Sequence, residues 1–132
     1  MALALNVFKT VTQVVPTSTV GIYTAPIGYA GVVLLAQVAN TSTQPETVTF
    51  SHKRTISGIA VTTEIVKDFV IPANDAASFL DGKLVLESND VLQISGSNAT
   101  NLKFTVSVIE TLKWWESEIV KWQNFLAADY QS

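Results

Sequence analysis

The residues able to do chemistry are few and scattered. One histidine, His52, stands in the run Phe50-Ser51-His52-Lys53-Arg54, and the chain contains no cysteine. A single histidine suffices for a Ser-His-Asp relay, but no Gly-x-Ser-x-Gly elbow presents a serine to it. Without cysteine or a second histidine, a metal site needs several converging carboxylates. The sequence therefore predicts no metal, no cofactor and no catalytic residue, and His52 reads as a strand-end or loop residue. His52-Lys53-Arg54 is the one dense cationic cluster, a solvated strand end or a contact for an acidic partner. Glu64, Asp68 and Glu87 are the carboxylates from which a glycosidase pair would have to be drawn, although such enzymes are much larger. Asn74-Asp75 and Asn89-Asp90 each precede an apolar segment and fit turns closed by their own side chains. A small hydrolase is thus the weakest of the functional classes.

Composition narrows the classes further. The chain has 132 residues, eight Lys+Arg against eleven Asp+Glu, and only 14% charged residues. Val, Thr and Ile number 17, 15 and 9. This rules out a charged disordered tail and a coiled coil, and the absence of basic excess argues against nucleic acid as a partner. Thr10 to Pro45 carries no charge, yet its apolar centre, Ala30 to Ala36, spans seven residues, against about 20 for a membrane helix. Met1-Ala2-Leu3-Ala4-Leu5 lacks the basic flank and length of a signal peptide. No membrane partner and no secretion are expected, and Asn40-Thr41-Ser42 and Asn98-Ala99-Thr100 read as polar turns instead of glycan acceptors.

The elements that must position these residues follow a period of two. Asn6–Val14, Val20–Thr24, Ala30–Ala39, Thr47–Ser51, Ala60–Ile71, Ala77–Leu80, Leu84–Leu86, Val91–Ser95 and Leu102–Thr111 alternate or run apolar between turn clusters. Ala30–Ala39 is apolar at nearly every position, which predicts a central strand buried on both faces. About 8–10 short antiparallel strands at this spacing predict an all-β domain over residues 1–111, a jelly roll or β-sandwich.

Residues 112–132 differ. Leu112, Trp115, Ile119, Trp122 and Leu126 recur at spacings of 3, 4, 3 and 4, the apolar face of a C-terminal amphipathic α-helix. All three tryptophans fall in residues 114–122. Burying them removes about 200 Å² each from water, so the segment must pack against its own sandwich or, the favoured reading, against a neighbouring subunit. Glu116, Glu118 and Asp129 against Lys113 and Lys121 suit an anionic lipid surface poorly. Trp114, Trp115, Ile119, Trp122 and Phe125, and secondarily Val7 and Phe8 in the N-terminal arm, are the expected protein-contact residues.

Two stretches carry a resemblance. Ile22-Tyr23-Thr24-Ala25-Pro26-Ile27-Gly28-Tyr29, continuing to Val38-Ala39-Asn40, and Leu84-x-Leu86-x-x-x-Asp90-x-Leu92-x-Ile94-Ser95 followed by Leu102-x-Phe104-x-Val106-Ser107-x-x-Glu110, resemble small β-sandwich virion structural proteins of tailed bacteriophages, of the marine and cyanobacterial type. The resemblance spans residues 20–111. It implies a non-enzymatic virion component assembled in the host cytoplasm: a capsid decoration (cement) protein, or a neck, tail or fibre part. It implies other virion proteins as partners and a homo-oligomer, a trimer being one form. It assigns no functional residue, and the Trp-rich segment lies outside it. A carbohydrate- or host-surface-binding β module is the alternative.

Overall fold

A computed structural model describes residues 6–112. Residues 113–132 of the predicted helix, with Trp114, Trp115, Ile119, Trp122 and Phe125, lie outside the described residues, and Leu112, expected to begin it, is instead the last residue of a strand.

The described chain forms nine strands: β1 (Asn6–Val14), β2 (Val20–Thr24), β3 (Tyr29–Asn40), β4 (Glu46–Ile56), β5 (Ile59–Ile71), β6 (Asp75–Ser78), β7 (Leu84–Leu86), β8 (Val91–Gly96) and β9 (Leu102–Leu112). They make two antiparallel sheets, ordered β1-β9-β3-β6 with β7 also on β3, and β2-β8-β4-β5. The pairing is nested. The first strand pairs with the last, the second with the eighth, the third with β6 and β7, and the fourth with the fifth. A long hairpin rolled up in this way gives the two Greek keys of a jelly roll.

One face of each strand supplies the core. Leu102, Phe104, Val106 and Val108 of β9 and Val33, Ala36 and Val38 of β3 meet Val48, Phe50, Leu92 and Ile94 from the opposite sheet. Phe50 stands at the centre, its ring 5.6 Å from Phe79 and 5.7 Å from Phe104. Where β8 meets the other sheet, a Cβ on Gly96 would lie 2.6 Å from Leu102 Cδ1 and 3.0 Å from Val15 Cγ1, so a side chain there would force the layers' contact to shift.

The structure corrects three expectations. β3 is central but buried on one face only. Its outward residues Ala30, Val32, Leu35 and Gln37 are half-buried, and Leu34 bulges into solvent where the register to β9 shifts. The sixth strand lies at Asp75–Ser78 instead of Ala77–Leu80. His52-Lys53-Arg54 does not end its strand: β4 runs on to Ile56, and Ser57-Gly58, at φ 53° and 79°, turns the chain directly into β5. Two successive left-handed residues between the paired Ile56 and Ile59 make the tight hairpin turn that follows the twist of its strands.

Candidate interaction surface

The chain enters at Asn6, paired with Thr111, and leaves at Leu112, paired with Tyr29. Entry and exit therefore share one end of the sandwich. The same end holds the β2–β3 turn, the β7–β8 turn and the β4–β5 hairpin, because Tyr23 pairs with Leu92 and Leu92 with His52.

Two buried charge clusters brace this end. In the first, Tyr23 donates its hydroxyl to Glu110 Oε2 at 2.6 Å, and Lys9 Nζ lies 3.1 Å from Oε1. Glu110 is 4% exposed and continues the inward phase of the four apolar β9 residues, so its desolvation must be offset by these partners. Gly31 faces it across the ladder, and a Cβ there would stand 3.1 Å from the Tyr23 hydroxyl. A side chain at this position would crowd the Tyr23 ring that makes the contact. Burial, then the hydrogen bond to Glu110 and its charge, push the Tyr23 hydroxyl well above the ordinary tyrosine range.

That shift fixes a sign for pH. A raised native pKa contributes stability that is complete below the unfolded tyrosine value, about 10, and is lost as pH climbs through the native value. The stability advantage of the wild type over Tyr23→Phe is expected to hold from neutral pH to about 10 and to shrink above it. Urea unfolding of both proteins between pH 7 and 11 measures this.

In the second cluster, Asp90 is the acceptor. His52 Nε2 lies 2.9 Å from Asp90 Oδ2, Arg54 Nε 3.3 Å from the same carboxylate, and the Glu87 amide donates to it at 2.9 Å. Arg54 also pairs with Glu87. Asn89 takes the left-handed conformation at φ 71°, and its backbone and that of Asp90 bond to Ala25. Thus His52-Lys53-Arg54 is mid-strand, and His52 and Arg54 are committed to carboxylates of their own chain. The Asn89-Asp90 turn does close on its own side chain, as the sequence predicts, and also anchors the strand beside it. Asn74-Asp75 behaves likewise, with Asn74 left-handed and Asp75 Oδ1 accepting from Ala76.

None of this builds a reaction centre. The ring of His52 is hydrogen-bonded to Asp90 and to no serine hydroxyl among the described residues. Among those residues, no group of three or more His, Asp or Glu side chains is placed to hold a metal ion. Asp68 sits on β5, its amide donating to Thr49, whereas Glu87 lies in the β7–β8 turn paired to Arg54, so their contacts on β4 fall at positions five residues apart. A glycosidase pair stands roughly 5–9.5 Å apart. Asn40 is buried, its amide nitrogen bonded to the carbonyls of Gln44, Ile71 and Pro72, so it is a structural residue of the opposite end.

What this end offers outward is apolar. Among the described residues, of the six most exposed large apolar side chains, Ile27, Phe8, Ile59, Ile56 and Val85 lie here, and only Val70 lies elsewhere. They form two features. Phe8, Ile109, Val32 and Val85 are successive cross-strand partners on β1, β9, β3 and β7, so they form one row across the outer face of their sheet. Phe8 is 75% and Val85 57% exposed. The second feature is the hairpin tip. β8 stops pairing with β4 at Lys53, whereas β5 pairs on to Ile56, so the tip projects three residue pairs beyond the sheet with Ile56, Ile59 and Val61 exposed. Of the two N-terminal contact candidates, Phe8 faces outward, while Val7 is half-buried on the inner face opposite Glu110. The alternation of Asn6–Val14 already put the two on opposite faces. The hairpin escaped sequence reasoning, although Ser-Gly between two isoleucines was its signal.

No known protein family matches the sequence, and no curated protein does. Solved structures share the fold. The chain is similar to a chain of the T13 particle of infectious bursal disease virus, with TM-score 0.52 and 13% identity over 83% of this chain. It is similar to the structure of the Gx strain of that virus at TM-score 0.50 and 14% identity over 81% of this chain. It spans about a third of those longer chains, 31% and 32%. At such identities the likeness is one of fold: a two-layer β-sandwich of the kind found in a viral particle.

Proposed function

We propose that this protein is a non-enzymatic structural component of a virion, which acts by packing its apolar end against neighbouring subunits. The observation that carries the reading is the concentration of exposed Phe8, Ile27, Ile56, Ile59 and Val85 at the one end where both termini of the domain emerge. An isolated soluble domain gains nothing from such a patch and risks aggregation, whereas a subunit buries it on assembly. Two supports stand beside it. The fold is shared with chains of an icosahedral virus particle, and Lys9, Glu110, His52, Arg54, Glu87 and Asp90 of this end are spent on contacts within the domain. Within the virion, capsid decoration is favoured over a neck, tail or fibre position: bridging adjacent capsomers adds buried area where internal pressure opens the shell. A glycan-binding module is less well supported, because the aromatic side chains exposed among the described residues, Phe8 and Phe69, lie on different sheets and form no shared platform.

Counting copies in purified particles by quantitative mass spectrometry tests this. Hundreds per particle are expected for a decoration protein, and a few to a dozen would move it to the neck, baseplate or fibre. Absence from the particle, with a monomer that turns over a small molecule, overturns the reading.

A further inference from the structure

We propose that the row Phe8–Ile109–Val32–Val85 is the seat for residues 113–132 of a neighbouring copy of this chain. This rests on the reading of the protein as an assembling subunit, and it names the partner surface and the segment that fills it.

The face selects an apolar occupant over a limited area. The row is extended along β3 by Ala30 and Leu35, whereas farther from the exit the outward positions become Thr12, Thr105, Gln37 and Lys103. On the other sheet the corresponding row near the exit joins Thr24, Val91 and Lys53, and the next joins Gln93 to Ser51. Near the chain exit the continuous apolar row therefore lies on the first sheet. Its width over four strands is about 14 Å.

The occupant is set by what leaves the domain there. β9 ends three residues beyond Ile109, and 20 residues follow, containing all three tryptophans. In them, Trp115, Ile119, Trp122 and Leu126 repeat at helical spacing. As a helix such a stripe would be about 17 Å long, enough to lie across the row.

The copy is set by the connection. Leu112 still pairs with Tyr29 as the last strand residue, so Lys113 alone separates the sheet from Trp114. The row contains Ile109 of β9 itself, three residues before that strand ends, so residues 113–132 would have to double back over their own strand to cover the row of their own chain, whereas the row of another copy lies open to them. The core of the described domain is already closed by residues of both sheets, with no buried side-chain polar atom left unpaired among the described residues. It does not require the segment. With every copy giving one segment and receiving one, the arrangement closes into a ring or a reciprocal pair.

Complementation between full-length chains tests this. One variant keeps the seat and spoils the segment, Trp115→Glu with Trp122→Glu. The other keeps the segment and spoils the seat, Phe8→Asp with Val85→Asp; Phe8→Ser with Val85→Thr is the milder version should the first lose its fold. Sedimentation and native mass spectrometry are expected to find the wild type oligomeric, each variant alone a folded monomer, and an equimolar mixture restored to a one-to-one pair. Only donation between molecules gives that pair. A mixture that stays monomeric shows the segment packing on its own chain and overturns the proposal. So does either variant keeping the wild-type oligomer, or a wild type that is itself monomeric. Copy number in particles is a separate measurement, so failure of the seat and failure of the virion reading are distinguishable.

Discussion

Replacing Phe50 with alanine is expected to destabilise the domain by about 3–5 kcal/mol, the range for removing a buried aromatic ring. Phe50 has no exposed surface and is the one ring in contact with both Phe79 and Phe104, so it joins the two sheets. Its strand is held on both sides, by β5 and β8, which prevents the layers from sliding together to refill the space. Against a total stability of roughly 5–15 kcal/mol for a domain of this size, such a loss populates the unfolded state under mild denaturant. The urea midpoint should fall while the slope of the transition is unchanged. Phe50→Leu should cost less than half as much, because most of the volume is kept. If Phe50→Ala unfolded at the wild-type midpoint, the two sheets would not share the core described above.

That core was largely legible in the sequence, for a physical reason. A half-buried strand must alternate, so Leu102 to Thr111 and Thr47 to Ser51 announce which residues face inward. Turn pairs such as Asn89-Asp90 announce where the chain reverses. Legibility ended where local pattern and tertiary demand part. The continuation of β4 through His52, Lys53 and Arg54 looks like a solvated strand end, because three cationic types in a row break any apolar alternation. It persists as strand because Asp90 and Glu87, more than 30 residues away, accept hydrogen bonds from two of them. Glu110 and Tyr23 are 87 residues apart, and no local pattern links them. Ala30–Ala39 looks buried on both sides because its outward positions are apolar too. The structure shows those positions half-buried, and that excess of apolar surface is what points to a partner.

The same logic separates what holds this end together from what it presents. Buried carboxylates fix the strands at the exit end, and the charged groups that fix them are no longer available for a ligand. The apolar side chains left outside are therefore the functional surface, and their placement depends on the brace beneath them. The hairpin tip is the clearest case. It extends beyond β8 with only β5 for support, and its root is the pair of contacts from His52 and Arg54 to Asp90.

Asp90→Ala should accordingly have the largest effect of any polar substitution, about 3 kcal/mol, at the low end of what breaking a buried charge pair costs. Asp90 is 4% exposed and accepts from a histidine ring, a guanidinium and the Glu87 amide. Its removal leaves the ring and the amide without partners in a place water reaches poorly. The cost is not higher because Arg54 is partly exposed and keeps Glu87. Arg54→Ala should therefore cost no more than about 1 kcal/mol. Asp90→Asn, which still accepts from one donor, should fall between the two. Hydrogen exchange should show the loss locally first, with amides of the Arg54–Val61 hairpin and the Glu87–Asp90 turn exchanging faster while Phe104 and Val106 in β9 stay protected. An unfolding midpoint for Asp90→Ala no lower than that of Arg54→Ala would mean that the carboxylate does not brace this end.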